Sequence, residues 1–142
     1  MSESTELLIV ENDNVQLQKL TAVLEFVGYS KLSTSNSSDL PDKLSDLSFE
    51  TVLLGDCGDE SSLQQTIDLL RTNKPEVPII KLLPREVGRQ VNRDILNNIF
   101  SIVNLPLTYV ELTDALHRAH MFNTKKGKGS NLNLDLFLIH FY

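Results

Sequence analysis

Short apolar runs, separated by stretches with helical spacing, limit the folds open to this sequence more than any other feature. Two runs, Leu7–Val10 and Val52–Leu54, contain no polar residue, which is typical of parallel strands buried on both faces. Three further segments complete a set of five predicted strands: Lys31–Ser35, Val77–Leu83 and Ile99–Asn104. Lys31–Ser35 is polar enough to lie at an edge of the sheet.

A helix is predicted after each strand. Asp13 with Gln16, Ser61 with Gln64, and Thr108 with Glu111 have the form of N-caps with their box partners. Gly28 is placed to end the first helix in the left-handed conformation. The second and fourth helices are predicted from apolar repeats at Leu40, Leu44 and Leu47 and at Val87, Val91, Ile95 and Ile99. Five strands alternating with five helices predict an α/β fold, a five-stranded parallel sheet that is doubly wound.

The length of 142 residues fits one domain, which we place over residues 1–124. Residues 125–142 are predicted to be a flexible basic linker followed by leucines in a two-residue period. This tail is interpreted either as a non-native extension or as an extra strand. The net charge of −6 argues against binding to nucleic acid or an anionic membrane. No export signal or membrane span is predicted, so the expected location is the cytoplasm.

The run Val52-Leu53-Leu54 with Gly55 resembles the third strand of response-regulator receiver domains, which have a flavodoxin-like fold. The resemblance covers about residues 6–122. In receivers this strand delivers an aspartate that accepts a phosphoryl group. An acidic pair after the first strand holds Mg²⁺, a hydroxyl residue follows the fourth strand, and a lysine precedes a proline after the fifth. The metal and the lysine neutralise charge on the transferring phosphoryl group.

The present sequence departs from that pattern at each of these positions. Glu11-Asn12 stands at the acidic pair, Gly55 at the acceptor, Leu83 at the hydroxyl position and Leu105 at the lysine. Ile102 replaces the aromatic residue that reports activation in receivers. We therefore expect no catalytic residue, no phosphoacceptor, no bound metal and no enzymatic activity in this domain.

Asp56 is the one residue that could substitute for the missing acceptor. It would reach the acceptor position through a one-residue slip absorbed by a bulge. An atypical receiver phosphorylated at Asp56 therefore remains an alternative. Weak binding of a divalent cation near Glu11, Asp13 and Asp56 also stays open.

Among receivers, the sequence most resembles the degenerate N-terminal domains of flagellar regulators of the FleQ/FlrA group, which are sigma-54-dependent activators of the NtrC type. The residues that carry this resemblance are Leu7–Val10, Val23–Gly28, Val52–Gly55 and Leu116–Ala119. The resemblance implies a regulatory module of a longer chain with an ATPase domain and a DNA-binding domain. ATP and cyclic di-GMP are implied only for that ATPase domain. A free-standing adaptor is the alternative.

A basic stripe on the predicted fourth helix indicates a contact surface. Arg85, Arg89 and Arg93 recur at i, i+4 and i+8. We expect them to pair with Glu111 and Asp114 of a second copy, so that the domain forms a homodimer through the fourth helix, fifth strand and fifth helix. Such pairs fix orientation more than they add affinity.

Overall fold

The computed structural model describes residues 6–84 and 93–127, with side chains up to residue 124. Its core is one parallel sheet in the order β2-β1-β3-β4-β5. The strands are β1 (Glu6–Val10), β2 (Lys31–Ser35), β3 (Thr51–Leu54), β4 (Ile79–Pro84) and β5 (Ser101–Leu105). The predicted fold class is therefore confirmed, and β2 lies at an edge as its polar sequence indicates.

Helices cover both faces of this sheet. They are α1 (Asn14–Phe26), α2 (Leu40–Lys43, continued by a 3-10 turn over Leu44–Asp46), α3 (Glu60–Asn73), α4 (Arg93–Leu96) and α5 (Tyr109–Gly127). Apolar residues of α1 and α5 pack on one face, and those of α2, α3 and α4 pack on the other. Because alternate residues of β1 point to the two clusters, this apolar strand is buried on both sides.

Two of the three predicted helix starts are confirmed. The Asp13 carboxylate accepts hydrogen bonds from the backbone N–H groups of Val15 and Gln16, at 2.9 and 3.3 Å. Thr108 Oγ1 accepts from Glu111 N at 3.1 Å. Gly28 ends α1 with φ of +109°, a conformation that glycine adopts without steric cost.

The predicted N-cap at Ser61 is wrong. The cap of α3 is Asp59, whose carboxylate accepts from Ser62 N at 2.9 Å. Helix α3 therefore begins two residues earlier than predicted, and the Asp59 carboxylate lies at the positive end of its helix dipole.

Other predicted boundaries shift by a few residues. β4 begins at Ile79 because Pro78 has no N–H to give to a sheet ladder. β5 begins at Ser101, since Ile99 N turns back to Leu96 O and ends α4. Of the repeat that predicts the fourth helix, only Ile95 lies in α4; Val87 and Val91 lie outside the described residues.

The predicted linker is partly helical. α5 continues to Gly127, so the first three residues assigned to the linker belong to this helix. Lysine is a good helix former, which is consistent with Lys125 and Lys126 prolonging α5. The predicted leucine tail lies outside the described residues. None of the helices that the structure describes is both long and apolar enough to cross a membrane.

Candidate functional site

A groove of about 820 Å³ opens at the carboxyl edge of the sheet, where the loops after β1, β3 and β5 meet. This is the edge at which ligands bind in open α/β sheets. Its charged lining residues are Glu11, Asp13, Lys19, Asp56 and Lys81, and its apolar lining residues include Leu20, Val23, Leu83, Leu105 and Leu107. The groove therefore brings most of the predicted degenerate positions to one place.

Glu11 follows β1 and turns its side chain into the protein, where only 5% of the residue is exposed. One carboxylate oxygen accepts a hydrogen bond from Asp13 N at 3.1 Å, and the other accepts from Asp56 N at 3.2 Å. Burial raises the pKa of Glu11, and the two backbone hydrogen bonds oppose that rise. The carboxylate thus bridges the loops that follow β1 and β3.

Gly55, directly after β3, leaves the space that Glu11 fills. A Cβ placed on Gly55 would lie 1.8 Å from Glu11 Oε1 and 2.8 Å from its Cδ. Both distances are far inside van der Waals contact. No residue with a side chain, aspartate included, fits at position 55 while Glu11 keeps this conformation.

Lys81 is a buried cation at the floor of the groove that the sequence analysis missed. It lies on β4 and is 6% exposed. Its ammonium donates to the carbonyl oxygens of Gly55 at 2.7 Å and Leu82 at 3.0 Å. Burial lowers the pKa of Lys81, and the neighbouring Cys57, Glu11 and Asp56 oppose that change. The available signal was a lysine inside the otherwise apolar run Ile79–Leu83, since lysine is almost never fully buried without a partner.

Asp56 is held by the loop after β3. Its side chain is exposed and accepts a hydrogen bond from Gly58 N at 2.9 Å, while its carbonyl oxygen accepts from Asn12 N at 2.7 Å. Asn12 directs its own side-chain oxygen to Ser37 N in the loop after β2. Asn12 therefore ties two loops together.

Leu83, Leu105 and Cys57 add no reactive group to the groove. Leu83 is buried and Leu105 is half-buried, and both line the groove. Cys57 is buried, and burial raises the pKa of its thiol to about 11, which keeps it protonated at neutral pH. Within the described ranges, no three His, Cys, Asp or Glu side chains are grouped so that they could hold a metal ion.

Of the interface residues predicted from sequence, Arg93, Glu111 and Asp114 lie in the described part of the chain, and these three do not line the groove. Arg85 and Arg89 fall outside the described residues, whereas Arg93 is exposed at the start of α4. Glu111 and Asp114 are exposed on α5, and Asp114 forms an ion pair with Arg118 of the same helix at 3.0 Å. The rings of Phe100, just before β5, and Phe122, on α5, contact each other at a tilt of 50°, with centroids 5.5 Å apart.

Solved structures share this architecture. The chain is similar to the N-terminal receiver domain of a response regulator from Bacteroides fragilis, with 20% identity, a TM-score of 0.67, and coverage of 81% of this chain and 95% of that one. The NtrX receiver domain of Brucella abortus is 15% identical, with a TM-score of 0.67, and the match covers 80% of this chain and 97% of that one. Full-length FixJ from B. japonicum is 14% identical, with a TM-score of 0.72, and the match covers 92% of this chain and 64% of that one. The fold and the edge groove define a receiver-like domain.

The family is also defined. The family model described as flagellar regulatory protein FleQ matches residues 6–121. The chain therefore belongs to the FleQ family and contains its receiver-like regulatory domain. No curated protein matches the sequence.

Proposed function

We propose that this domain is a receiver-like module that regulates by protein contact, without phosphorylation, in a sigma-54-dependent activator of flagellar genes. The observation that carries the proposal is that a Cβ added to Gly55 would lie only 1.8 Å from Glu11 Oε1. The carboxylate that would help to hold a metal instead fills the acceptor's place.

The other groups at the groove support the same proposal. Phosphoryl transfer in this fold needs hard oxygen ligands for Mg²⁺ and a cation that is free to meet the phosphoryl oxygens. Both carboxylate oxygens of Glu11 accept backbone hydrogen bonds, and the Lys81 ammonium donates to two carbonyl oxygens. We further propose that the domain binds no cofactor, and that ATP and cyclic di-GMP act on the ATPase domain of the activator.

Phosphoryl inertness is tested by intact mass. Incubation with Mg²⁺ and a small acyl phosphate should leave the mass of the wild-type domain unchanged, because Glu11 fills the acceptor's place beside Gly55 and the buried Lys81 ammonium already donates to two carbonyl oxygens. The Asp56→Asn variant should behave identically. An adduct that appears in the wild type and is absent from Asp56→Asn would establish the alternative, a receiver phosphorylated at Asp56.

We also propose that the module forms a homodimer through α4, β5 and α5. Leu96, Ile102 and Phe122 expose 37–40% of their area on these three elements, and Arg93 and Glu111 provide opposite charges near them. Exposed ion pairs contribute only about 0.2–1 kcal/mol each, so the apolar residues supply most of the affinity.

A charge exchange tests this interface. Arg93→Glu should weaken the dimer about fivefold in sedimentation velocity, because one favourable pair becomes repulsive. Adding Glu111→Arg should restore the wild-type affinity. Lys31→Glu, at the opposite edge of the sheet, should change nothing. A dimer that ignores Arg93→Glu would place the interface elsewhere.

A further inference from the structure

The groove at the carboxyl edge of the sheet has the size and lining of a small-molecule site. Its volume of about 820 Å³ falls within the range of roughly 300–1,000 Å³ that is usual for such sites. Apolar residues of α1, β4 and the loop after β5 make up the larger part of its lining, among them Val23, Leu83 and Leu107. Sites of this kind bury the apolar body of a ligand and fix its orientation through a few polar groups.

Lys81 supplies one such polar group, because its ammonium has an N–H to spare. The ammonium carries three N–H groups. Among the described residues its acceptors are two, the carbonyl oxygens of Gly55 at 2.7 Å and Leu82 at 3.0 Å. The lysine is 6% exposed and lines the groove. A hydrogen bond to a buried donor is stronger than one in water, since the local dielectric constant is low. A ligand oxygen that accepts the third N–H would therefore be bound favourably.

The charges that line the groove favour an uncharged ligand. Three carboxylates and two ammonium groups face it, those of Glu11, Asp13, Asp56, Lys19 and Lys81. An anion that reaches Lys81 also comes close to the Glu11 and Asp56 carboxylates, which repel it. A cation at the same place is repelled by the Lys81 ammonium. Either ion would in addition lose its hydration, which costs more than the burial of a neutral polar group. A neutral carbonyl oxygen can accept from Lys81 without these penalties.

The Asp56 carboxylate offers an acceptor beside this donor. One of its oxygens accepts a hydrogen bond from Gly58 N at 2.9 Å. Within residues 6–84 and 93–124 the other oxygen has no hydrogen-bond donor, and the side chain is exposed where it lines the groove. An amide group carries both complementary parts, a carbonyl oxygen for Lys81 and an N–H for the carboxylate. This pair of partners favours an amide over an ester or a ketone, which lack a donor.

We infer that the groove binds a small uncharged molecule with an apolar body and an amide group, whose carbonyl oxygen accepts from Lys81 and whose N–H donates to Asp56. The molecule is a regulatory ligand and not a cofactor, because no reaction at the groove consumes it. It contacts α1 through Val23 and the loop that leads into α5 through Leu107, so that its binding holds these two elements together. The inference rests on the proposed function, since a phosphoryl group would need the same edge of the sheet.

Three six-carbon probes that differ in their head groups test the class of ligand. Hexanamide, hexanoate and hexylammonium are each titrated into the 142-residue protein labelled with ¹⁵N, and the backbone amide signals of Gly55, Leu83 and Leu107 are followed. Hexanamide should shift these signals saturably, with a Kd on the order of 10 mM for so small a molecule. The two ions should bind at least fivefold more weakly. Equal binding of all three probes, or hexanamide shifts that leave these signals unmoved, would overturn the inference.

A substitution at Lys81 tests the hydrogen bond. Lys81→Met should weaken hexanamide binding at least fivefold, because the donor is removed. It should also make hexylammonium the tightest of the three probes, since the carboxylates then act without the opposing charge. A merely structural role of Lys81 would weaken all three probes alike, and that result would contradict the assignment.

A second substitution tests the apolar lining in a protein that keeps Lys81. Val23 is 36% exposed on α1, so Val23→Glu should leave the melting temperature unchanged and weaken hexanamide binding at least fivefold. Val15→Glu is the matched control, since Val15 is 60% exposed on the same helix and does not line the groove, and it should bind like the wild type. If the two variants bind hexanamide equally well, the groove is not the site.

Intact mass after incubation with an acyl phosphate separates this inference from the proposed function. A phosphoryl adduct would contradict the proposed function, and the ligand assignment with it. An unchanged mass together with no binding of hexanamide would overturn the ligand assignment alone.

Discussion

Replacing Gly55 with alanine is expected to lower the free energy of unfolding by about 3 kcal/mol and the melting temperature by roughly 10 °C. The added Cβ would lie 1.8 Å from Glu11 Oε1, so the carboxylate must leave its place. In leaving, it loses the hydrogen bonds from Asp13 N and Asp56 N. Chemical denaturation of the purified variant measures the loss.

A second substitution separates this clash from a general effect of losing glycine. In a Glu11→Ala background the Cβ that Gly55→Ala adds enters space that the glutamate has vacated. Gly55→Ala should then lower the free energy of unfolding only slightly, and the double-mutant cycle of the two substitutions should give a coupling energy of about 2 kcal/mol. Gly58→Ala is the control. Gly58 has φ of +100°, so its alanine variant is strained through the backbone and should not be rescued by Glu11→Ala. Equal costs of Gly55→Ala in both backgrounds would contradict this account.

Lys81→Met is expected to lower the free energy of unfolding by about 2 kcal/mol at neutral pH. The variant keeps the apolar stem but removes the ammonium that donates to the Gly55 and Leu82 carbonyl oxygens. Hydrogen bonds with a charged partner contribute about 1.5–3 kcal/mol each, and the cost of burying the charge offsets part of that sum. Lys31→Met, at an exposed position on β2, should stay within about 0.5 kcal/mol of the wild type.

The cost of Lys81→Met should also depend on pH. The folded protein lowers the pKa of Lys81 below its ordinary value of 10.5. Between these two pKa values the unfolded chain binds one more proton than the folded protein, so the stability of the wild type rises with pH there. The methionine variant lacks this contribution. Its deficit in unfolding free energy should therefore widen as the pH approaches 10.5, and a constant deficit would contradict the shift.

The sheet could be predicted from sequence because its signals are local. The apolar runs of β1 and β3 and the caps at Asp13 and Thr108 each depend on a few neighbouring residues. The start of α3 was misassigned because Asp59 and Ser61 both have capping side chains, and the local pattern does not rank them.

The contacts inside the groove could not be predicted from the sequence. Glu11 was predicted to stand at a metal-binding position, yet its inward turn depends on the absence of a side chain at Gly55 on another strand. Such a contact leaves no periodicity in either segment. Lys81 did leave a signal, one charge within an apolar strand, but its acceptors are backbone carbonyl oxygens, which no side-chain pattern indicates.

The geometry of α5 determines how a disturbance at the groove would be transmitted. The helix starts beside the groove, at the end of β5, and its 19 residues extend about 28 Å to the opposite edge of the sheet. Near its far end, Asn123 donates a hydrogen bond to the Glu50 carbonyl oxygen at the start of β3. This bond ties the last turns of α5 to the residue that precedes β3. A displacement of the helix start at Tyr109 would therefore have to strain or break the Asn123 bond before it could move a segment joined to Gly127.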